Sequence, residues 1–468
     1  MVSIRKNFFY NALLTVSNYI FPLVTYPYVS RVLGVSNIGI CNFVDSIVNY
    51  FILFSMMGIS IVGMREIAVV RDDREARNRV FSGLLNLNLI TTAVAALVLI
   101  VAIYRVPSLA EYRTLLWIGV AKLMANFLCM DWLFRGLEEF KYVTNRTILV
   151  KCLYVAAVFL FVRESSDYWV YYLLTTLVLV LNAGFNFIFS RRFVRFRFRG
   201  AGFKAFAGPF FIMGVYMLLT SLYTSFNVFY LGVVSDTEQV GYYTSATKIF
   251  SMLIALFTAF TTVMLPRMSA VLSEGKIDDF HALITKSVRV LILFGVPISF
   301  LMLAGAPDIV RIVSGEGYEG AVVPMMTVAP LVVVIGLEQI FVVQVMMPMK
   351  WDRVILICST AGAVVGVLLN FLLVKHFLAR GSAVVWLVSE LVVLSSALYF
   401  LITRLHFPFP FRTLLKEILL SLPLLALLLV MSRVMPGGAF LRLAAEATLT
   451  GLYFLAVHAS LVKQTLHP

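Results

Sequence analysis

The chain has 468 residues, 61% of them hydrophobic and 13% charged, against roughly 45–50% and about 25% in ordinary globular domains. Its formal net charge is +14. This composition excludes a water-soluble domain: apolar blocks of about 20 residues, enough to cross a roughly 30 Å hydrocarbon core as helix, recur from end to end.

The opening MVSIRKN sets Arg5 and Lys6 before an apolar run, as a secretory signal would. That run continues past Ile20 to Val29 without a small-residue cleavage pattern, so it is expected to remain as the first span. Hydropathy predicts an all-α polytopic membrane protein with about fourteen spans. Their expected extents are 8–30, 41–63, 81–104, 114–134, 147–162, 168–190, 205–231, 241–265, 286–305, 321–345, 354–375, 381–402, 415–434 and 440–462. Lys and Arg concentrate on alternate connections, from Arg5 and Lys6 through Arg71–Arg79, Arg135–Arg146, Arg191–Lys204, Arg267–Arg289, Lys350–Arg353 and Arg404–Lys416 to Lys463. The positive-inside rule then places both termini in the cytoplasm, as an even number of spans requires.

No connection exceeds about 25 residues by this hydropathy reading, which leaves no room for a soluble catalytic or receptor domain. In the loop RDDREARNR, Asp73 and Arg77, and Glu75 and Arg79, have i,i+4 spacing, so a short cytoplasmic helix is expected there. RRFVRFRFRG at 191–200 interleaves arginines with Phe193, Phe196 and Phe198. In a soluble protein such a run suits nucleic acid. Here it follows the sixth span, where its arginines can meet anionic headgroups while the phenylalanines settle into the interface, and no nucleic-acid partner is expected.

Leu33-Gly34 followed by Gly39 is echoed by Leu231-Gly232 followed by Gly241, about 200 residues later and again at the junction of the first two spans of a half. With the arginine run between them, two pseudo-symmetric six-helix lobes are expected at 1–190 and 205–403. A basic cytoplasmic linker, 191–204, would join them, and two appended helices would fill 404–468.

Several motifs carry bland readings. Gly315, Gly317 and Gly320 form GxGxxG, but without the strand and soluble helix of a dinucleotide site, and a turn is expected. The five histidines make no HExxH pair or triad-like cluster, so neither a metal nor an enzymatic reaction is expected. Cys41, Cys129, Cys152 and Cys358 lack CxxC spacing and read as small buried residues. Gly362 and Gly366 form GxxxG, most simply a close helix contact.

Ionisable groups inside spans are costly and usually face a cavity or a partner. They include Asp45, Lys122, Asp131, Lys248, Glu338, Glu390 and Glu446, with Arg31 closing the first span. Asp131 with Arg135, and Arg442 with Glu446, have the spacing of structural or snorkelling pairs. Polar stripes run through the helices: Asn11, Asn18 and Thr25; Asn42, Asp45 and Asn49; Lys122 and Asn126; Thr220, Thr224 and Asn227; and Thr244, Lys248, Ser251, Thr258 and Thr262. Seams between packed helices could account for any one stripe. Together they suggest a hydrated cavity holding Arg31, Lys122 and Lys248, which would favour anions and phosphates in particular. Internal pairing of Asp45 with Lys122 or Lys248 is the alternative. Glu338 and Glu390 are candidates for proton or sodium coupling, or are structural acids; no cofactor is expected.

The segment FPLVTYPYVSRVLGVSNIGICNF closely resembles the first helix and turn of the bacterial lipid-linked oligosaccharide flippases, the O-antigen and polysaccharide transporters of the multidrug/oligosaccharidyl-lipid/polysaccharide exporter superfamily. GMREIAVVRDD, DWLFRGLEEFKYV and LGVVSDTEQVGYYTSATKI follow in order. The resemblance implies two lobes related by a pseudo-twofold axis, two appended C-terminal helices and a cationic cavity, a fold like that of the multidrug exporters. It implies movement of an undecaprenyl-pyrophosphate-linked oligosaccharide across the bacterial cytoplasmic (inner) membrane for O-antigen, capsule or exopolysaccharide synthesis, beside polymerase and chain-length proteins. Arg31 matches the arginine before the Leu-Gly turn and Lys248 the lysine of GYYxxAxK; Lys122 has weaker motif support. A multidrug exporter or a peptidoglycan-precursor flippase of the same superfamily remains an alternative. So does a polymerase or ligase of the membrane, although no long outer loop is present to carry its catalytic groups.

Overall fold

The computed structural model describes the backbone of residues 4–196 and 204–466, with most of their side chains. Among the described residues there is helix and no strand, as expected where lipid offers no partner for open backbone N–H and C=O groups. The helices fall into two compact units, residues 1–221 and 222–468.

The first unit comprises α1 (Ile4–Met56), α2 (Ile59–Val69), α3 (Arg74–Arg105), α4 (Arg113–Phe127), α5 (Asp131–Gly136), α6 (Phe140–Phe161), α7 (Tyr168–Ser190) and most of α8 (Lys204–Thr224). The second comprises α9 (Phe226–Val234), α10 (Thr237–Ser273), α11 (Ile277–Ala304), α12 (Ala306–Ser314), α13 (Val322–Val328), α14 (Leu331–Gln339), α15 (Asp352–Leu369), α16 (Lys375–Leu405), α17 (Phe411–Val434) and α18 (Ala439–Leu466). Among the described residues nine helical stretches are long and apolar enough to span a bilayer. Two of them, Leu13–Val69 and Asp352–Leu405, hold a non-helical residue, Gly34 and Leu378, and so accommodate two spans each. With the bent pair formed by α13 and α14, the arrangement is compatible with about fourteen crossings.

At each of four breaks a side chain bonds to the nearby backbone. At Gly34 (φ 75°), Asn37 Nδ2 donates to Leu33 O at 3.1 Å and to Ser165 O at 2.8 Å. At Met57 (φ 40°), the Ser55 carbonyl accepts from Asn88 Nδ2 at 2.7 Å and Thr91 Oγ1 at 2.6 Å on α3. Pro330, which has no N–H to donate, follows α13, and the path bends by 44°. There Ser299 Oγ donates to Ala329 O at 2.8 Å. At Leu378, the Ala379 N–H donates to Gln239 Oε1 at 3.3 Å. The second copy of the Leu-Gly motif behaves differently. Gly232 stays helical and the chain turns at Ser235, whose N–H and Oγ both donate to Leu231 O, at 2.9 and 2.6 Å.

Each unit has its own buried apolar cluster. In the first, Ile59, Ile67, Phe81, Trp132, Phe134 and Phe210 are buried together, and a Cβ on Gly63 would lie 2.5 Å from the Trp132 ring. In the second, Phe280, Ile284, Leu291, Phe341, Val393 and Phe407 form the core. Gly362 meets α16, its added Cβ falling 2.4 Å from Val393 Cγ2, so this GxxxG is an internal contact. Large apolar side chains elsewhere, such as Leu97, Ile188, Leu372 and Leu452, are exposed. On a membrane-spanning helix they form the lipid-facing surface.

Four local expectations are corrected. RDDREARNR is not a separate helix: Asp73 caps α3, accepting from the N–H groups of Glu75 (2.9 Å) and Ala76 (3.0 Å), and α3 runs unbroken into its span. Arg77 turns from Asp73 to the arginine run, its Nε and Nη2 donating to Phe193 O at 3.1 and 2.9 Å. Phe193 packs against Phe134 and Phe189 rather than settling into the interface, while Phe196 is partly exposed and Phe198 lies outside the described residues. Of the four free cysteines only Cys41 and Cys358 are buried, and Cys152 is exposed. Gly315 and Gly317 do lie in a turn, at φ 95° and 82°, after α12.

Candidate functional site

In the first unit, α1 and α4 bring Lys122 and Asp45 together. Lys122 Nζ donates to Asp45 Oδ1, Asn49 Nδ2 donates to Asp45 Oδ2 at 3.0 Å, and the Tyr172 ring of α7 faces the ammonium at 5.7 Å. The Lys122 side chain is 10% exposed and that of Asp45 33%. The pair is thus closed on the lysine side and open on the carboxylate side. One turn along α4 the Asn126 Nδ2 is buried without a hydrogen-bond partner. Lys122 is therefore a neutralised cation, which is the internal pairing the sequence left open. Asn42, three residues before Asp45, is half-buried on the same helix.

Arg31 is exposed, and its Nη1 donates to Pro27 O at 2.5 Å. A further cation escaped the sequence reading. Lys151, inside the span α6, reaches α1, where its Nζ donates to Asn18 Oδ1 at 2.5 Å and lies 5.6 Å from the Phe21 ring. Its bonded partner is neutral, and the contact joins residues 133 apart in sequence. The only signal was a lysine five residues into a predicted span, which reads equally as a flanking charge free to snorkel.

The other acids of this unit are structural. Asp131 does not pair with Arg135 one turn away: Arg146 Nη1 donates to Asp131 Oδ1 at 2.9 Å, and Asn186 Nδ2 donates to the same oxygen at 2.9 Å. Arg146 also donates to Asn186 Oδ1, so α5, α6 and α7 are tied by one network. In the second unit Arg442 turns from Glu446 to Asp308, donating at 2.8 and 2.5 Å. This pins α18 to α12 and leaves both Glu446 oxygens buried without a hydrogen-bond partner.

In the second unit Lys248 is half-buried on α10. The polar stripe that carries it largely bonds to its own helix: Thr244 donates to Val240 O at 2.7 Å, Ser251 to Thr247 O at 2.7 Å and Thr258 to Ile254 O at 3.2 Å. Such back-bonding satisfies hydroxyls without water. Glu338 on α14 and Glu390 on α16 face each other. Trp386 Nε1 donates to Glu390 Oε1 at 2.9 Å, and Oε2 of each acid is buried without a hydrogen-bond partner. Nearby, Asn227 Nδ2 reaches the Tyr243 hydroxyl at 3.2 Å, and Asn370 Nδ2 reaches Asn227 Oδ1 at 2.6 Å. Among the described residues no cluster of His, Cys, Asp and Glu could hold a metal ion. The structure thus joins Asp45, Asn49 and Lys122 at one place and Glu338 and Glu390 at another, each within its own unit.

These intramembrane charges sit on a fold with known relatives. The family model "Polysaccharide biosynthesis protein" matches residues 4–272, and the model "Lipid II flippase MurJ" matches residues 169–447. A protein of Escherichia coli (strain K12) named "Putative O-antigen transporter" is 29% identical over 411 residues, covering 85% of this chain and 97% of its own. Among solved structures, an inward closed conformation of the lipid II flippase MurJ superposes with a TM-score of 0.78 at 14% identity, covering 96% of this chain and 98% of that one. An inward-facing conformation of a multidrug resistance MATE family transporter gives 0.61 at 15% identity, over 86% and 99% of the two chains. At those identities the solved structures establish the fold. The two family models each match more than half of the chain, which establishes descent: this chain belongs to the polysaccharide biosynthesis protein family, as a lipid-linked polysaccharide flippase and not an enzyme.

Proposed function

We propose that the substrate is an undecaprenyl-pyrophosphate-linked oligosaccharide repeat unit of an O-antigen-type surface polysaccharide. The protein moves it across the bacterial cytoplasmic membrane by alternating access, with both termini and the basic connections on the cytoplasmic side. One observation carries this reading: Lys151, a cation within a span, is held by neutral Asn18 rather than by a carboxylate. A fixed ammonium in a low-dielectric environment attracts phosphate oxygens more strongly than it would in water. Arg31 and Lys248 act with it, while Lys122 contributes through a pair with Asp45 that can open to an incoming anion.

Glu338 and Glu390 serve ion coupling. Two facing carboxylates repel, and a proton or a sodium ion between them relieves the repulsion. Loading and release of that ion would give the conformational cycle a direction. Polymerase and chain-length proteins receive the product in the outer leaflet.

The test is Lys248→Ala, and in parallel Lys151→Met, at unchanged protein level. Lipid-linked repeat units should accumulate on the cytoplasmic leaflet, and normal surface polysaccharide in either variant removes that lysine from the mechanism. The match of residues 169–447 to the lipid II flippase model favours a second reading, transport of a peptidoglycan precursor. Accumulation of that precursor instead would select it.

A further inference from the structure

At the basic end of the first unit, cytoplasmic on the reading above, the outer faces of α6 and α7 enclose a surface pocket of about 450 Å³. Its lining changes character along one face of α6. Lys141, Asn145 and Leu149 are spaced four apart and therefore stand above one another. They descend from a cation through an amide to an apolar side chain over about 12 Å, at roughly 1.5 Å per residue. On α7, Phe185 and Phe189 follow the same axis, with Phe185 39% exposed. Tyr142 stacks on Phe189 with centroids 3.7 Å apart and walls the pocket.

The charged end of the pocket is not internally spent. Lys141 and Asn145 are exposed, and neither side chain has a hydrogen bond or ion pair among the described residues. Arg192, from the arginine run, lies over the Phe189 ring at 5.2 Å and adds a second cation at that level. Arg146, which also lines the pocket, has its two terminal nitrogens committed to Asp131, Asn186 and Thr147. Its side chain is only 5% exposed, and its Nε–H is buried with no acceptor. Glu139 is an acid in the same lining and opposes anions there.

We infer that this pocket is a binding site for an anionic phospholipid of the surrounding bilayer. The headgroup phosphate sits against Lys141, Asn145 and the Arg192 side, and one acyl chain follows Leu149 and Phe185 into the hydrocarbon. The gradient from cation to amide to aliphatic and aromatic side chain matches the gradient of the ligand, from phosphate through ester to methylene. A soluble phosphate would gain nothing from the lower half of the pocket, and a zwitterionic lipid would bring its own cation to Lys141 and Arg192. The site lies on the lipid-facing side of one unit and is separate from the Lys122–Asp45 pair and from the Lys151–Asn18 contact.

The full-length protein, purified and stripped of lipid, is titrated with phosphatidylglycerol or phosphatidylcholine and examined by native mass spectrometry. One phosphatidylglycerol should be retained in preference to phosphatidylcholine. A cation at the headgroup plane contributes a factor of about five, so Lys141→Ala should weaken retention by about fivefold and Lys141→Glu by more. Glu139→Gln should strengthen it, and Lys276→Glu, at an exposed loop of the second unit, should leave it unchanged. Equal retention of the two lipids, or unaltered retention in Lys141→Glu, overturns the assignment. Preference for undecaprenyl pyrophosphate over phosphatidylglycerol in a competition arm also overturns it, since the pocket would then hold the substrate lipid rather than a lipid of the bilayer.

Discussion

At the scale of single residues, the intramembrane charges divide by the partner each has found. Asp131 with Arg146 and Asp308 with Arg442 are bonded pairs that hold helices together. Lys122 with Asp45 is also paired, but a third of the Asp45 side chain stays accessible. Removing one member of a buried pair strands the other, at a cost of roughly 3–5 kcal/mol when burial is complete. We expect Lys122→Met to lower the unfolding temperature in detergent, by less than full burial would demand. Asp45→Asn combined with Lys122→Met should recover most of that loss. If the double variant is as unstable as the single one, the two side chains do not act as a pair. Asp45, Lys122, Lys248, Glu338 and Glu390 are legible in the sequence as costly groups in apolar blocks. Which carboxylate meets which cation is not, because Lys122 and Asp45 are 77 residues apart and Arg442 and Asp308 134 apart. Spacing of three or four residues proposed Arg135 for Asp131 and Glu446 for Arg442. Tertiary contact replaced both, because a partner from another helix can approach head-on where a neighbour on the same helix must bend to reach.

At the scale of elements, caps and breaks decide where helices start and turn. The Asp73 carboxylate at the start of α3 is held below its ordinary value of 3.8, first by the Ala76 N–H and then by the Glu75 N–H, with Arg79 and Arg77 nearby. A carboxylate bonded in the folded state gives up its proton more readily there than in the unfolded chain. Its contribution is therefore complete above the ordinary value and fades as pH falls through the lower, folded one. Asp73→Asn keeps an acceptor for the cap but does not titrate. The variant should thus lose less stability than the parent between pH 5 and pH 3, as read from unfolding temperatures across that range. Parallel curves for the two proteins would show that the cap is not linked to pH. The breaks at Gly34 and Pro330 are written in the sequence, by a residue free to take positive φ and by one without an N–H. Those at Met57 and Leu378 are not. Their residues carry no special propensity, and the backbone they release is taken up by Asn88, Thr91 and Gln239 from other helices.

At the scale of the whole molecule, the charge asymmetry of the connections sets the expected orientation. In a variant without the four native cysteines, Arg105→Cys should react with a membrane-impermeant maleimide in intact spheroplasts. Lys276→Cys should react only after permeabilisation, and the opposite pattern reverses the topology. Hydrophobicity and its period alone determined that this chain is a bundle of membrane helices, because a bilayer accepts only backbone whose hydrogen bonds are satisfied within the span. Lysine and arginine content indicated the side to which the loops belong, and short motifs around Arg31 and Lys248 pointed to the family. Tertiary structure alone decided which charges are spent and which remain. Lys122 reads equally as a cavity cation and as a partner of Asp45 until α1 brings Asp45 beside it. Lys151 reads as a flanking charge until Asn18 draws it onto the first helix. RRFVRFRFRG reads as a basic linker with its phenylalanines in the interface until Arg77 holds the Phe193 carbonyl and Phe193 packs against the core. The physical reason is the same in each case: the cost of a charge in a membrane depends on its partner, and the partner is supplied by another helix.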